Sequence, residues 1–199
     1  MSVPAFAYRP LLLAGALVAA APAGPSAWKV TVGDVRVVCP LTVGGAFETK
    51  SQSLGGQLTF GGGRPAAVGG SLAVDLRTLD TGIDLRNQHL REKYLEVARG
   101  PAFEKAVLTG IALAAVDPAA ARNRTTFTGT LSLHGVSRPV SGSVELRREG
   151  AAVRVEAAFP VSLSDYGVEK PYYLGVGVGN ELRVKVVFLA NPASPTPAP

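Results

Sequence analysis

Two stretches decide the fold: Ser71-Leu-Ala-Val-Asp-Leu76 and Phe127-Thr-Gly-Thr-Leu-Ser-Leu133. The first runs on through Arg-Thr-Leu-Asp-Thr-Gly-Ile-Asp-Leu-Arg-Asn-Gln-His-Leu-Arg-Glu-Lys-Tyr-Leu-Glu to Val97, the second through His-Gly-Val-Ser-Arg-Pro to Val140. Each opens with apolar and polar residues in alternation and then breaks into a polar or Gly/Pro segment. Strict alternation belongs to a strand with one dry and one wet face. An open sheet of such strands needs a covering layer, whereas a closed barrel encloses its own apolar face. Where inward side chains do not fill that interior, it is a pocket for an apolar ligand.

The same period recurs along the chain. Trp28, Val30 and Val32 share a face, Gly33-Asp34 breaks the run, and Val35 to Cys39 resumes it. Phe47, Thr49 and Ser51 lie opposite Glu48 and Lys50, and Gln57 to Phe60 leads into the loop Gly61-Gly62-Gly63-Arg64-Pro65. Leu72, Val74 and Leu76 form the next apolar face, and Val107 to Val116 closes at Asp117-Pro118. Phe127, Gly129, Leu131 and Leu133 are followed by Val140, Gly142, Val144 and Leu146, with a hairpin turn at Glu149-Gly150. Val155, Ala157, Phe159 and Val161, then Leu182, Val184, Val186 and Phe188, complete the set. About eight short strands at hairpin spacing favour an all-β chain, an antiparallel barrel or sandwich, and closure favours the barrel. The one interruption is a short helical insertion over 84–97, with Asp84 as N-cap and Leu90 and Tyr94 set against the barrel.

With 199 residues, the chain is long enough for one domain with a substantial core. Arg9 followed by the apolar run 11–21 and the small-x-small triplet Ala21-Pro22-Ala23 reads as a secretory signal peptide over 1–23. The barrel domain then spans 24–190, and the Pro-rich tail 191–199 is expected to be disordered. Export implies a periplasmic or secreted protein. The formal charge of +5 falls to +4 once Arg9 is removed. Its basic residues are dispersed among acids, which gives no nucleic-acid footprint and leaves room only for transient contact with a membrane surface. Cys39 is the single cysteine, so no intrachain disulfide forms, and a buried small hydrophobe is its expected role. Two histidines far apart offer no metal spacing. No nucleophile elbow, zinc helix or phosphate-cradling loop occurs, so neither catalytic residues nor a cofactor are expected.

Several segments in fixed order carry a family resemblance. They are Leu-x-Val-Asp-Leu-x-Thr-Leu-Asp-Thr-Gly (72–82), Arg-Asn-x-His-Leu (86–90), Gly-Thr-Leu-Ser-Leu-His-Gly-Val-Ser-Arg-Pro-Val (129–140), Asp-Tyr-Gly-Val (165–168) and Tyr-Leu-Gly-Val-Gly-Val-Gly-Asn-Glu-Leu-Arg-Val (173–184). Together they resemble the YceI-like family, and they cover nearly the whole chain after the leader. Arg-Gly-Pro-Ala-Phe (99–103) departs from the family's aromatic-Pro pair. The resemblance implies an exported, lipocalin-like closed barrel that binds a polyisoprenoid or a related long-chain amphiphile.

On this view the inward residues Leu72, Val74, Leu76, Phe127, Leu131, Leu133, Val144, Phe159, Val186 and Phe188 contact the ligand; alternatively they only fill the barrel. Gly129 and Gly142 on the same face are expected to leave room. Arg86, Asn87 and His89 are candidates for a polar head group, or else they cap loops. Tyr166 either stacks at the mouth or plugs the barrel end with its hydroxyl on backbone, and His134 closes a strand. Three functions follow: a carrier that sequesters a polyisoprenoid or isoprenoid quinone, an envelope interaction module with a filled barrel, and an enzyme acting on a bound lipid through Arg86, His89 or Tyr166. The oligomeric state is open. Mass spectrometry of the protein from the cell envelope should show a chain starting near Gly24; an intact 1–18 segment contradicts the cleavage.

Overall fold

In a computed structural model of the chain, residues 26–60, 66–117, 119–173 and 175–193 are described. The leader 1–23, the start at Gly24, the loop 61–65 and the last six tail residues lie outside them. The strands are β1 (Ser26–Pro40), β2 (Ala46–Ser51), β3 (Gly55–Phe60), β4 (Ala66–Asp75), β5 (Lys105–Leu113), β6 (Arg122–Leu133), β7 (Val136–Glu149), β8 (Ala152–Ser162), the short pair β9 (Tyr172–Tyr173) and β10 (Val176–Gly177), and β11 (Glu181–Pro192). Neighbours pair antiparallel in the order β1-β3-β4-β5-β6-β7-β8-β11, and β11 returns to β1 from Trp28↔Pro192 to Val38↔Arg183. The eight strands therefore form a closed antiparallel barrel. β1 is long enough to serve two neighbours along its other edge, β3 at Ser26–Lys29 and β2 at Val35–Pro40. Because Asn191 and Pro192 pair with β1, the last strand runs two residues beyond the boundary at 190 read from the sequence.

Bulges place the inward faces where simple alternation does not. β1 is continuous through Gly33-Asp34, and its irregularity lies between Val30 and Val32. The extra residue reverses the parity, as a one-residue slip must. Val30 therefore points inward, Val32 is 64% exposed, and Val35 and Cys39 are buried again. Gly33 falls on the inward side, where a Cβ would sit 2.6 Å from the Leu54 Cβ, so the apparent break is a site of close packing. β5 repeats the device: its register shifts between Thr109 and Ala112, around Gly110 at φ 58°. Leu108 and Ile111 consequently face the same interior. β5 ends at Leu113, three residues short of the strand read to Val116.

Between β4 and β5 the chain leaves the barrel for a chain of short helical turns. α1 (Asp84–His89) passes directly into a π-helical turn, Leu90–Tyr94, closed by the Leu95 N–H on the Leu90 carbonyl at 2.9 Å. That five-residue return puts Leu90 and Leu95 over the barrel at a spacing no regular 3.6-residue period has. Asp84 is the first helical residue and Ile83 the N-cap, so Asp84 does not cap the helix. Asn87 orders the entry instead. Its Oδ1 accepts from the Thr81 N–H and hydroxyl, both at 2.7 Å, and its Nδ2 donates to Asp80 Oδ1 at 2.7 Å. A 3-10 turn (Val97–Arg99) and the one-turn α2 (Pro101–Glu104) return the chain to β5.

Outward faces are polar and largely paired. Glu145 accepts from Arg122, Arg124 and Arg147 across β6 and β7, and these guanidiniums hold its carboxyl down at about 2. Arg77 on Asp75 and Arg154 on Glu156 repeat the pattern. The cations dispersed along the sequence are thus interleaved with acids in space.

Inside, Phe127 of β6 and Phe159 of β8 meet edge to face at 5.6 Å between ring centroids. They meet across β7 because Gly142, which pairs with Phe127, has no side chain to separate them. A Cβ on Gly142 would strike the Ala158 carbonyl and lie 2.7 Å from the Phe159 Cβ. At Gly129 a Cβ would lie 3.1 Å from Leu108 Cδ1. Both glycines therefore permit close approach; neither leaves the vacancy that the sequence suggested. Gly142→Ala should lower stability by about 1–3 kcal/mol through overpacking against backbone, seen as a melting temperature lower by several degrees. Gly129→Ala, whose Cβ meets the far end of Leu108 and the Thr109 carbonyl at a looser 3.2 Å, should lose less; equal losses would contradict this account.

Candidate ligand-binding site

The closed wall surrounds a cavity of about 230 Å³. The ten apolar residues expected to contact a ligand all line it: Leu72, Val74, Leu76, Phe127, Leu131, Leu133, Val144, Phe159, Val186 and Phe188. They come from β4 and the turn after it, β6, β7, β8 and β11, each strand contributing through alternate residues. Most of them are buried, with Val74 and Val186 only half-buried.

Other lining residues were not legible from alternation. Leu79, Leu90, Tyr94 and Leu95 descend from the insertion, Leu54 from the bend between β2 and β3, and Leu163 and Val168 from the turns after β8. Leu90 and Tyr94 are expected against the barrel from the helical insertion; the others show only as apolar residues at irregular spacing. Cys39 lines the cavity as well, and burial pushes its thiol up to about 11 although Arg86 pulls the other way. Such a thiol stays protonated at neutral pH and is a poor nucleophile.

The polar candidates do not gather at the cavity. Asn87 is committed to the Asp80–Thr81 loop, as described above. Arg86 lies with its Cζ 4.5 Å from the centre of the Phe47 ring, covering a lining residue from outside. His89 is exposed. None of the three lines the interior, so they form a loop clamp, a ring cover and a surface group in place of one head-group cluster.

Tyr166 is 2% exposed and also stands apart from the cavity. It is a buried plug, not a mouth residue, and its hydroxyl has no hydrogen-bond partner among the described residues. Burial first, and Asp165 beside it, raise its pKa. Its backbone carbonyl instead accepts from His134 Nδ1 at 3.0 Å. His134 Nε2 lies 3.0 Å from Glu96 Oε2, and the Phe103 ring packs edge-on at 4.8 Å. His134, at φ 53°, thus ties the β6–β7 turn to the insertion and to the turn after β8. It is a strut.

An interior of this kind can take up hydrocarbon and excludes charge. A methylene moved from water into it gains about 0.8 kcal/mol, while an unpaired ion costs several kcal/mol or more.

The chain's fold recurs in solved structures. A polyisoprenoid binding domain from Saccharophagus degradans implicated in plant cell wall breakdown superposes with a TM-score of 0.65 at 17% identity, covering 84% of this chain and 99% of that one. BcnA of Burkholderia cenocepacia gives 0.63 at 18%, covering 80% and 96%. The YceI protein of Campylobacter jejuni gives 0.55 at 11%, covering 73% and 85%. No curated protein sequence matches the chain. Residues 25–190 match the YceI-like domain, a span that takes in nearly all of the described barrel, and the chain belongs to the YceI-like domain family.

Proposed function

We propose that the chain is an exported carrier that holds one long apolar lipid, a polyisoprenoid or isoprenoid quinone, inside the barrel and performs no chemistry on it. The observation that carries this reading is the cavity of about 230 Å³ with an apolar wall. It exceeds the roughly 150 Å³ at which an apolar cavity stays dry and accepts benzene, and lies just below the roughly 300 Å³ typical of larger ligands. A segment of a prenyl chain therefore fits as the barrel stands. A longer one is accommodated where the lining is half-buried, at Phe47, Leu90 and Tyr94. The ligand-binding relative from Saccharophagus degradans supports the same reading. Loading and release then take place at a membrane surface by transient contact.

Solvent extraction of the protein purified from the cell envelope should yield about one prenyl lipid per chain by mass spectrometry. A reproducibly empty, well-folded protein favours an interaction module. Leu131, 7% exposed on the cavity wall, separates binding from stability. Leu131→Trp fills the space without charge and should keep the fold while abolishing lipid retention. Leu131→Glu should abolish retention and also destabilise the barrel by a few kcal/mol, because hydrocarbon cannot pair the carboxylate. If Leu131→Trp costs about 1–3 kcal/mol and the parent carries no lipid, the barrel is packed solid and the pocket does not exist.

A further inference from the structure

The inward face of β2 carries Phe47, Thr49 and Ser51, and the two hydroxyls differ sharply in their surroundings. Ser51 is 3% exposed and fully engaged: its Oγ lies 2.6 Å from the Thr78 hydroxyl and 2.9 Å from that of Ser53, and it accepts from the Ser53 N–H at 3.1 Å. Thr49 is 5% exposed and lines the cavity, yet its Oγ1 has no hydrogen-bond partner among the described residues. A buried hydroxyl left unpaired is destabilising. Valine has the same branched shape, suits a strand equally well, and carries no such penalty. A cavity that met nothing but hydrocarbon would have no use for the oxygen.

One staggered step about the Thr49 Cα–Cβ bond would carry the hydroxyl into the place the methyl now holds, without moving the backbone. Phe47 lies two residues away on the same face, with the Arg86 guanidinium stacked on its ring. Polarity therefore falls from Arg86 outside, through Phe47, to the neutral Thr49 hydroxyl within.

We infer that Thr49 is the polar anchor of the cavity, hydrogen-bonding an uncharged oxygen, a hydroxyl or carbonyl, at the head of a prenyl lipid that enters the barrel head-first. A diphosphate does not suit the same place, because no cation among the described residues lines the cavity. This inference rests on the carrier reading above and narrows its ligand to a neutral oxygenated lipid.

The test is titration calorimetry on the purified mature protein, stripped of lipid, with farnesol, farnesene and farnesyl diphosphate as probes. The parent should bind farnesol more tightly than farnesene. Thr49→Val should weaken farnesol about five- to tenfold, the worth of one neutral hydrogen bond, and leave farnesene unchanged. It should also raise the melting temperature of the empty protein, because the orphan hydroxyl is gone. Thr49→Ser should preserve the farnesol preference and Thr49→Ala should lose it, a comparison that stands whether or not Thr49→Val folds. Equal binding of both probes by parent and variants leaves the lipid site intact and overturns the anchor. A loss for farnesyl diphosphate as large as that for farnesol overturns the neutral head. Failure of the parent to bind any probe overturns the carrier reading itself.

Discussion

Everything in this chain depends on the return of β11 to β1. Without that ladder the eight strands would form an open sheet with two unpaired edges and a broad apolar face in water. With it, every strand of the ring has neighbours on both sides, and the wall holds itself together through backbone hydrogen bonds. The space inside is then set by the number and tilt of the strands, not by how much side chain is available to fill it. A sandwich lacking filler collapses. A ring of this size keeps a vacancy of about 230 Å³.

That division of labour explains which parts of the structure the sequence discloses. Alternation is a property of each strand alone, so Phe127, Leu131 and Leu133, or Val186 and Phe188, declare their direction without knowledge of their partners. Direction is lost at bulges, where one extra residue resets the count. Val32 therefore read as sharing a face with Val30 and is exposed, while Gly33 read as a break and is packed against Leu54. The glycines show the same limit. Gly142 serves an aromatic contact between strands on either side of its own, and no local pattern distinguishes that from a vacancy.

Polar residues were harder still, because the chemistry of a side chain says what it can bond and not what lies within reach. Arg86, Asn87 and His89 are consecutive or nearly so, yet a helical turn points them to a ring, a loop and solvent respectively. Asn87 is the clearest case: it serves the Thr81 backbone six residues before it, much as an N-cap would, from inside the helix. Conversely, Thr49 and Ser51 look alike in sequence, and only the three-dimensional arrangement leaves one satisfied and the other alone. The π-helical turn has a similar lesson, since Leu90 and Leu95 belong to no period that a sequence scan would favour.

The wall is not equally strong all round. On its side away from β1, β2 has no strand ladder among the described residues; the reciprocal backbone bonds between Lys50 and Asp80 at 2.8 and 2.9 Å and the Ser51 hydroxyl on that of Thr78 at 2.6 Å join it there. Elsewhere a whole ladder must part before the interior meets water; here a few hydrogen bonds stand in its place. The barrel therefore breathes at this seam at a cost far below that of global unfolding, and the Lys50 and Asp80 amides exchange their hydrogens sooner than those along β1 and β11. In the proposed carrier, that local opening would set how long a guest stays. Slow release and a stable fold are consequently separable properties, because they are governed by different parts of the same wall.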